Sequence, residues 1–397
     1  MVPGFFPLDE QLALLPGQFS PTLQAMLVRL SAWMPFAQAA AFLRDFAHVS
    51  VSEGSAQRLS YAAGSTLVVQ QTLAAQQILL DLPPVPLPSE PLQVSIDGAM
   101  VPLVGGEWAE VKTMAIGQVT RRPGTQGNLE THTSAITTFS RMAEAELFGS
   151  LATVEAHTRA LTLARQVVAV NDGAEWIQRV VDLHCPTAVR VIDFPHAAQR
   201  LSAIAAVVWG EGQGQAQAWF VRERHNLRHS GPEPVLAAIR QLRAQYPDAA
   251  AGISEHEQYL RKRVAMLDYP DFEAAGWPIG SGCVESANKL VVEARLKGAG
   301  MHWARKRVNP MVALRNLVCN DRWQNGWAGI AASLRQEAQS RRRAQTNSMA
   351  IPATKSKRLA SPQAGGKAHP PSATHPWRKP TLAGGRAYLQ RQRAAQG

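Results

Sequence analysis

Residues 167–193, VVAVNDGAEWIQRVVDLHCPTAVRVID, decide the fold. The apolar run 167–170 stops at Asn171-Asp172-Gly173, which predicts a strand followed by a turn. Residues 174–181 then read as a helix and 188–192 as a second strand that ends at Asp193. Strand, helix and strand over so short a span make a crossover unit, the signature of a sheet with parallel neighbours. Upstream, 92–96 (LQVSI) is a short strand ending at Asp97-Gly98, 108–119 a second strand after the turn Gly105-Gly106, and 134–139 (SAITTF) a third. A helix over 143–165 leads into the crossover unit, and one over 196–208 follows it. A three-stranded meander followed by helix–strand–helix–strand–helix predicts a mixed α/β sheet.

Downstream of the sheet the chain becomes helical and basic. Helices are expected over 215–226, 234–245 and 254–267, in a segment carrying Arg222, Arg224, Arg228, Arg240, Arg243, Arg261, Lys262 and Arg263. Residues 276–303, GWPIGSGCVESANKLVVEARLKGAGMHW, then start with turn formers, and Ser281 can cap a helix that runs to Leu296. Glu285, Asn288, Lys289 and Val292 fall on one face, with Val284, Ala287, Val291 and Ala294 as an adjacent apolar stripe. This is either a functional carboxylate beside an amide and an ammonium, or an exposed Glu–Lys pair of the ordinary kind.

The N-terminal part reads as helices over 21–33, 35–47 and 53–63, with Pro21 and Pro35 in first turns and Ser52 as a cap. The break at 48–52 has the proportions of a helix-turn-helix, and equally those of a plain helical hairpin. Helix continues over 65–80 into the proline-rich DLPPVPLPSEP. The expected division is therefore a helical, possible DNA-binding region at 1–82, a linker at 83–91 and the first part of the sheet domain at 92–209. A helical insertion at 210–275, the rest of the domain with the Glu285 helix at 276–335 and a basic tail at 340–397 complete it.

Composition bounds the function. The formal net charge is +11, yet from Arg341 onward there are twelve Lys or Arg and no acid, so the rest carries 29 basic against 30 acidic residues. The tail is rich in Pro, Gly, Ala and Ser and is expected to be disordered. Such a tail can grip phosphates without reading sequence, or it is only a solvated terminus. No apolar run reaches eighteen residues, and the N-terminus lacks the layout of a signal peptide, so no membrane partner is expected. Cys185, Cys283 and Cys319 have no metal-type spacing, which fits a reducing, cytoplasmic setting.

Asp97 and Asp172 each stand where an apolar strand meets a glycine. If those strands are parallel neighbours, the two carboxylates meet beyond the strand ends. Asp before Gly is also ordinary turn chemistry. Adjacent carboxylates repel unless one is protonated or a cation lies between them. Mg²⁺, or Mn²⁺ in its place, is the natural hard partner. Glu285 as a third acid would complete a two-metal site for in-line displacement at phosphorus.

Five stretches make this specific: VSIDGAMVPL with EWAEVKTMAIGQV, AVNDGAEWI, VIDFPHAAQRL, GWPIGSGCVESANK and ARLKGAGMHW. In that order they resemble the ISKra-type insertion-sequence transposases of the DDE class, a likeness covering roughly residues 4–323. The resemblance implies a ribonuclease-H-like catalytic domain and metal-dependent cutting and joining of element ends, with DNA as partner and a dimer or larger assembly on it. It implies Asp97, Asp172 and Glu285 as catalytic triad and metal ligands for two Mg²⁺ or Mn²⁺ ions. Water would cut, and the freed 3′-hydroxyl would attack target DNA. Asp193 is expected to cap the next helix, with Pro195 in its first turn; His196 either contacts a phosphate, tunes an acid or sits in the core. Lys289, Arg295, Lys297 and Arg305 are the candidate DNA contacts, extended by Lys306 and Arg307. Trp303 either stacks on a base or packs. The family often has a longer N-terminal region with paired cysteines ahead of FFPLDEQLAL. None is present here, which raises the expectation of a misplaced start, a frameshift or a truncation, with end recognition affected. The rivals are a related metal-dependent nuclease, a non-catalytic DNA-binding relic, and a hydrolase of small phosphate esters. The last leaves the basic insertion and tail without a purpose.

Overall fold

The computed structural model describes residues 14–15, 18–124 and 129–349. Five strands form one sheet in the order β3-β2-β1-β4-β5. β1 (Leu92–Pro102), β2 (Trp108–Pro123) and β3 (Leu129–Arg141) make the antiparallel meander. β4 (Val167–Asn171) lies parallel beside β1, and β5 (Val189–Ile192) parallel beside β4. The mixed α/β sheet is thus as expected, but its meander strands are longer. β1 does not end at Asp97-Gly98: β2 offers a partner along its whole length, pairing Asp97 with Thr113 and Gly98 with Lys112. Backbone groups that find sheet partners stay in the sheet, so the Asp-Gly pair is strand and not turn. Gly105 and Gly106, at φ 96° and 84°, make the turn instead.

In the N-terminal part, α1 (Pro21–Trp33) and α2 (Phe36–Ala47) precede α3 (Glu53–Leu80), which fuses the two helices expected over 53–63 and 65–80. Ser52 caps α3 by accepting from the Ser55 amide at 3.1 Å, as predicted. His48 ends α2 in the left-handed region at φ 54°. After the meander, α4 (Ala145–Thr158) stops short of the expected 165, because Ala160 turns left-handed at φ 50° and a single 3₁₀ turn follows (Leu161–Leu163). α5 (Glu175–His184) is the crossover helix, and α6 (Phe194–Trp209) follows β5.

The insertion contains α7 (Gly214–Ser230), α8 (Pro232–Gln245), α9 (Ala250–Arg261) and α10 (Tyr269–Ala275), the last not expected from sequence. Leu236, Ile239 and Ile253 of the insertion share a core with Val168 and Val170 of β4 and Leu201 of α6. On the other face of β4, Val167 and Ala169 pack with α4 and α5 through Phe148 and Val180. Strand alternation thus divides one run of aliphatics between two cores. Each fully buried Val or Leu contributes about 1.5–3 kcal/mol of transfer free energy.

The Glu285 helix, α11, has three parts: an α segment (Gly282–Ala287), a π segment (Asn288–Glu293) and a final α turn (Ala294–Leu296). Its buried residues come in pairs repeating every four: Cys283/Val284, Ala287/Asn288, Val291/Val292 and Arg295/Leu296. At 3.6 residues per turn a four-residue repeat would drift by about 40° per step. The wider i→i+5 winding of the π segment compensates that drift and keeps the stripe on the sheet. The expected stripe is corrected accordingly: Val292 is buried and Ala294 exposed.

α12 (Arg305–Cys319) and α13 (Trp323–Met349) close the described chain. The N-terminal helices are not a separate lobe, since Leu27, Leu43 and Leu67 share a core with Val101 of β1 and Met311 and Leu314 of α12. α13 carries helix through residues 340–349, where disorder was expected, and 350–397 lie outside the described residues. Among the described residues no helix is long and apolar enough to cross a membrane.

Candidate metal centre

β1 turns Gln93, Ser95 and Asp97 toward α11, and Val94 and Ile96 toward the opposite core. Beside it, the Asn171 side chain at the end of β4 accepts from the Ile96 amide at 2.6 Å. That bond stitches the two strands together just past their last paired residues and brings Asp97 and Asp172 side by side. Burial, joined by the Asp172 charge, pushes the Asp97 carboxyl above its ordinary value, against bonds from the Gly98 amide and Asn288. Asn288 Nδ2 donates to Asp97 Oδ2 at 3.0 Å. Asp172 Oδ1 in turn accepts from the Ala174 amide at 2.8 Å, which fixes its carboxylate against the start of α5.

Gly173 forms the turn that exposes Asp172. Its φ is 82°, and a Cβ there would lie 2.5 Å from Ile192 Cδ1 and 2.8 Å from Arg263 Nε, so only glycine fits.

Asp193 has no solvent exposure, and its carboxylate is fully used. Oδ1 accepts from the Ser281 amide at 2.6 Å; Oδ2 accepts from the His196 amide at 3.2 Å and pairs with His196 Nδ1 at 2.7 Å. The predicted cap is therefore present, and it also ties the head of α6 to the entry of α11. Ser281, expected to cap α11 with its side chain, makes no such bond and serves Asp193 instead. Burial raises Asp193, but the His196 and Ser281 bonds outweigh it and hold the carboxyl below its ordinary value. His196 is not a core residue: its side chain is 40% exposed. The bond to Asp193 raises it most, burial opposes, and the charges of Asp193, Asp172 and Asp97 add to the rise.

Glu285 is exposed, and no hydrogen bond or ion pair of its side chain occurs among the described residues. It precedes Asn288, the Asp97 partner, by one helical turn, so the two side chains leave the same side of α11. The fold thus brings Asp97, Asp172 and His196 together and leaves Glu285 at the rim. No group of three or more His, Cys, Asp or Glu side chains among the described residues is arranged to hold a metal ion. Asp97 and Asp172 offer carboxylate oxygens, and Asn288, whose Nδ2 bonds Asp97, has in Oδ1 a buried atom with no partner. A hard divalent cation such as Mg²⁺ or Mn²⁺ fits that set.

The expected DNA contacts divide. Lys289 is exposed; Lys297 is exposed and pairs with Glu293 at 2.7 Å, and Arg305 is exposed and pairs with Glu107 at 3.4 Å. Arg295 is corrected. It is 2% exposed, donates to the Ser31 carbonyl at 2.9 Å and lies against the Phe36 and Trp303 rings, with burial pushing its guanidinium down to about 10. The four-residue beat of α11 points it inward, where it joins α11 to α1. Trp303 is buried as well, its indole donating to the Leu296 carbonyl at 3.0 Å, so it packs and offers no face to a base.

The Asp193–His196 pair makes stability depend on pH. The His196 contribution is fully present below its ordinary value of 6.5 and is lost as pH rises through the higher folded value. The Asp193 contribution is present above 3.8 and is lost as pH falls through its lower folded value. With EDTA present, the melting-temperature gap between the wild-type protein and His196→Gln should be widest between those values and shrink toward pH 9. A gap that stays constant across the range would contradict this.

No family model matches this chain, and no curated protein matches it, so the reading of the site rests on its own geometry.

Proposed function

We propose that the protein is a divalent-metal-dependent DNA transposase that cuts and joins the ends of an insertion sequence on a ribonuclease-H-like core. The observation that carries the reading is the pair Asp97 and Asp172, set side by side from parallel strands with the Asn288 amide donating to Asp97. The meander with two parallel crossover strands and the motif order of the resemblance also support it. Asp97 and Asp172 would hold the metal, Asn288 Oδ1 offers a further oxygen, and Glu285 reaches in from the rim. Mg²⁺ or Mn²⁺ supplies activation of the attacking water or 3′-hydroxyl and stabilises the leaving oxygen. Asp193 fixes the His196 ring through Nδ1, which leaves Nε2 for a phosphate oxygen of the bound strand. Lys289 and, after release from their acids, Lys297 and Arg305 neutralise phosphates along the approach. The DNA is the element ends and a target, and the working form is a dimer or larger.

One observation favours a second reading. Glu285 touches neither aspartate, as expected of a non-catalytic DNA-binding relic or of a related nuclease. Fragments carrying the sequence that flanks the reading frame separate the three. Incubated with the purified protein in Mg²⁺ or Mn²⁺, they should be nicked at fixed positions and joined to a second duplex. Cutting without joining makes the protein a nuclease; binding that persists in EDTA with no nicking makes it a relic.

A further inference from the structure

The helical insertion grips the turn that carries Asp172. From α9, the Tyr259 hydroxyl donates to the Asp172 carbonyl. Two residues past the end of α9, Arg263 donates from Nε at 3.1 Å and from Nη2 at 2.9 Å to the Gly173 carbonyl, and from Nη1 to the Tyr259 carbonyl at 3.2 Å. The Tyr259 ring is held in turn by Arg263, 4.1 Å from its centroid, and by Arg200 of α6 at 4.4 Å. Two consecutive carbonyls, which would otherwise be free to rotate at the end of β4, are thereby fixed by two side chains remote in sequence. Between those carbonyls stands the glycine at φ 82°, and beyond them the Ala174 amide that orients the Asp172 carboxylate.

The geometry points to Tyr259 and Arg263 as positioning residues that set the Asp172 carboxylate for the divalent cation, so that the insertion acts on the acid pair through this turn. The inference rests on the metal-binding reading of Asp172. The contact surface itself does not require such a grip: Ile253, Leu236 and Ile239 already dock the insertion on the sheet through apolar packing. A guanidinium placed with two nitrogens on one carbonyl fixes direction as well as distance, which apolar packing does not.

Tyr259→Phe removes a single hydroxyl and keeps the ring; Arg263→Lys keeps the charge and removes the fork. Two measurements on the full chain follow. Hydrogen exchange at the Ala174 amide, read without metal or DNA, should accelerate about tenfold in each variant, the loss of one to two ordinary hydrogen bonds. The Mg²⁺ concentration giving half-maximal DNA cutting should rise several-fold, while DNA affinity in EDTA stays at the wild-type value. Arg243→Gln, which breaks the Arg243–Glu257 pair inside the insertion, is the control. It should lower the melting temperature and shift neither readout. Wild-type exchange at Ala174 together with a wild-type Mg²⁺ curve in both variants would overturn the inference. If the wild-type protein cuts no DNA, the transposase reading falls, and the exchange of Ala174 still decides whether the insertion holds this turn.

Discussion

Asp97→Asn and Asp172→Asn are each expected to lower DNA strand cutting by about a thousandfold, the loss of several kcal/mol of metal-mediated stabilisation. Each replaces one oxygen by nitrogen, so the packing is unchanged. Neither should unfold the protein. Asp97 is held above its ordinary value by burial and by the Asp172 charge, and an amide there relieves both. In EDTA the Asp97→Asn melting temperature should therefore equal or exceed that of the wild-type protein. Added Mn²⁺ should raise the wild-type melting temperature and leave both variants unmoved, because a ligand stabilises only the state that binds it. Full cutting by either variant removes that residue from the site. Loss of cutting with a large drop in melting temperature would mean that the acid is structural.

Gly64→Leu should be the most damaging single change in the N-terminal helices. Gly64 lies against the backbone of α12, where a Cβ would come 2.3 Å from the Pro310 carbonyl oxygen and 2.7 Å from its carbon. A side-chain tip there could rotate away, but a peptide group cannot. Overpacking of this kind costs about 3 kcal/mol or more, the upper end for core insertions. The α3–α12 contact joins the N-terminal helices to the core beside α11. Denaturant unfolding should show the loss in full, and an unchanged midpoint would mean that the two helices separate at no cost. Gly54, with open space around it, is the matched control, and Gly54→Leu should change stability little.

Local chemistry was readable in the sequence, and distant backbone partners were not. The crossover unit was legible because 167–193 punctuates itself: aliphatic run, Asn-Asp-Gly, amphipathic helix, aliphatic run, Asp. Asp172 and the Asp193 cap followed from that punctuation. At Asp97-Gly98 the same rule failed, since whether a strand continues depends on what lies beside it, and β2 lies beside it. Arg295 was read as DNA-facing because a basic residue on a helix is normally solvated, while for Trp303 packing was one of two open readings. The π segment, which turns Arg295 into the core, has no composition of its own to announce it. Tyr259 and Arg263 left no local trace. Their targets are carbonyls, which every residue has, so only the folded chain reveals which ones they choose. His196 was visible as a residue, and its partner Asp193 three positions away was the available signal of an oriented ring.

The surplus residue wound into 288–293 also makes α11 adjustable at one end alone. After that segment the helix is anchored, with Arg295 bound to α1 and Trp303 to the Leu296 carbonyl. Removing one residue would therefore leave the C-terminal turn in place and swing the preceding part by about 100°, the angle of one α-helical step. That swing would carry Asn288 off Asp97 and put Ala287 in its place, and it would turn Val284 out of its packing beside Ala115. The winding of a few residues thus sets two things at once: what α11 presents to the acid pair and which of its side chains fill the core.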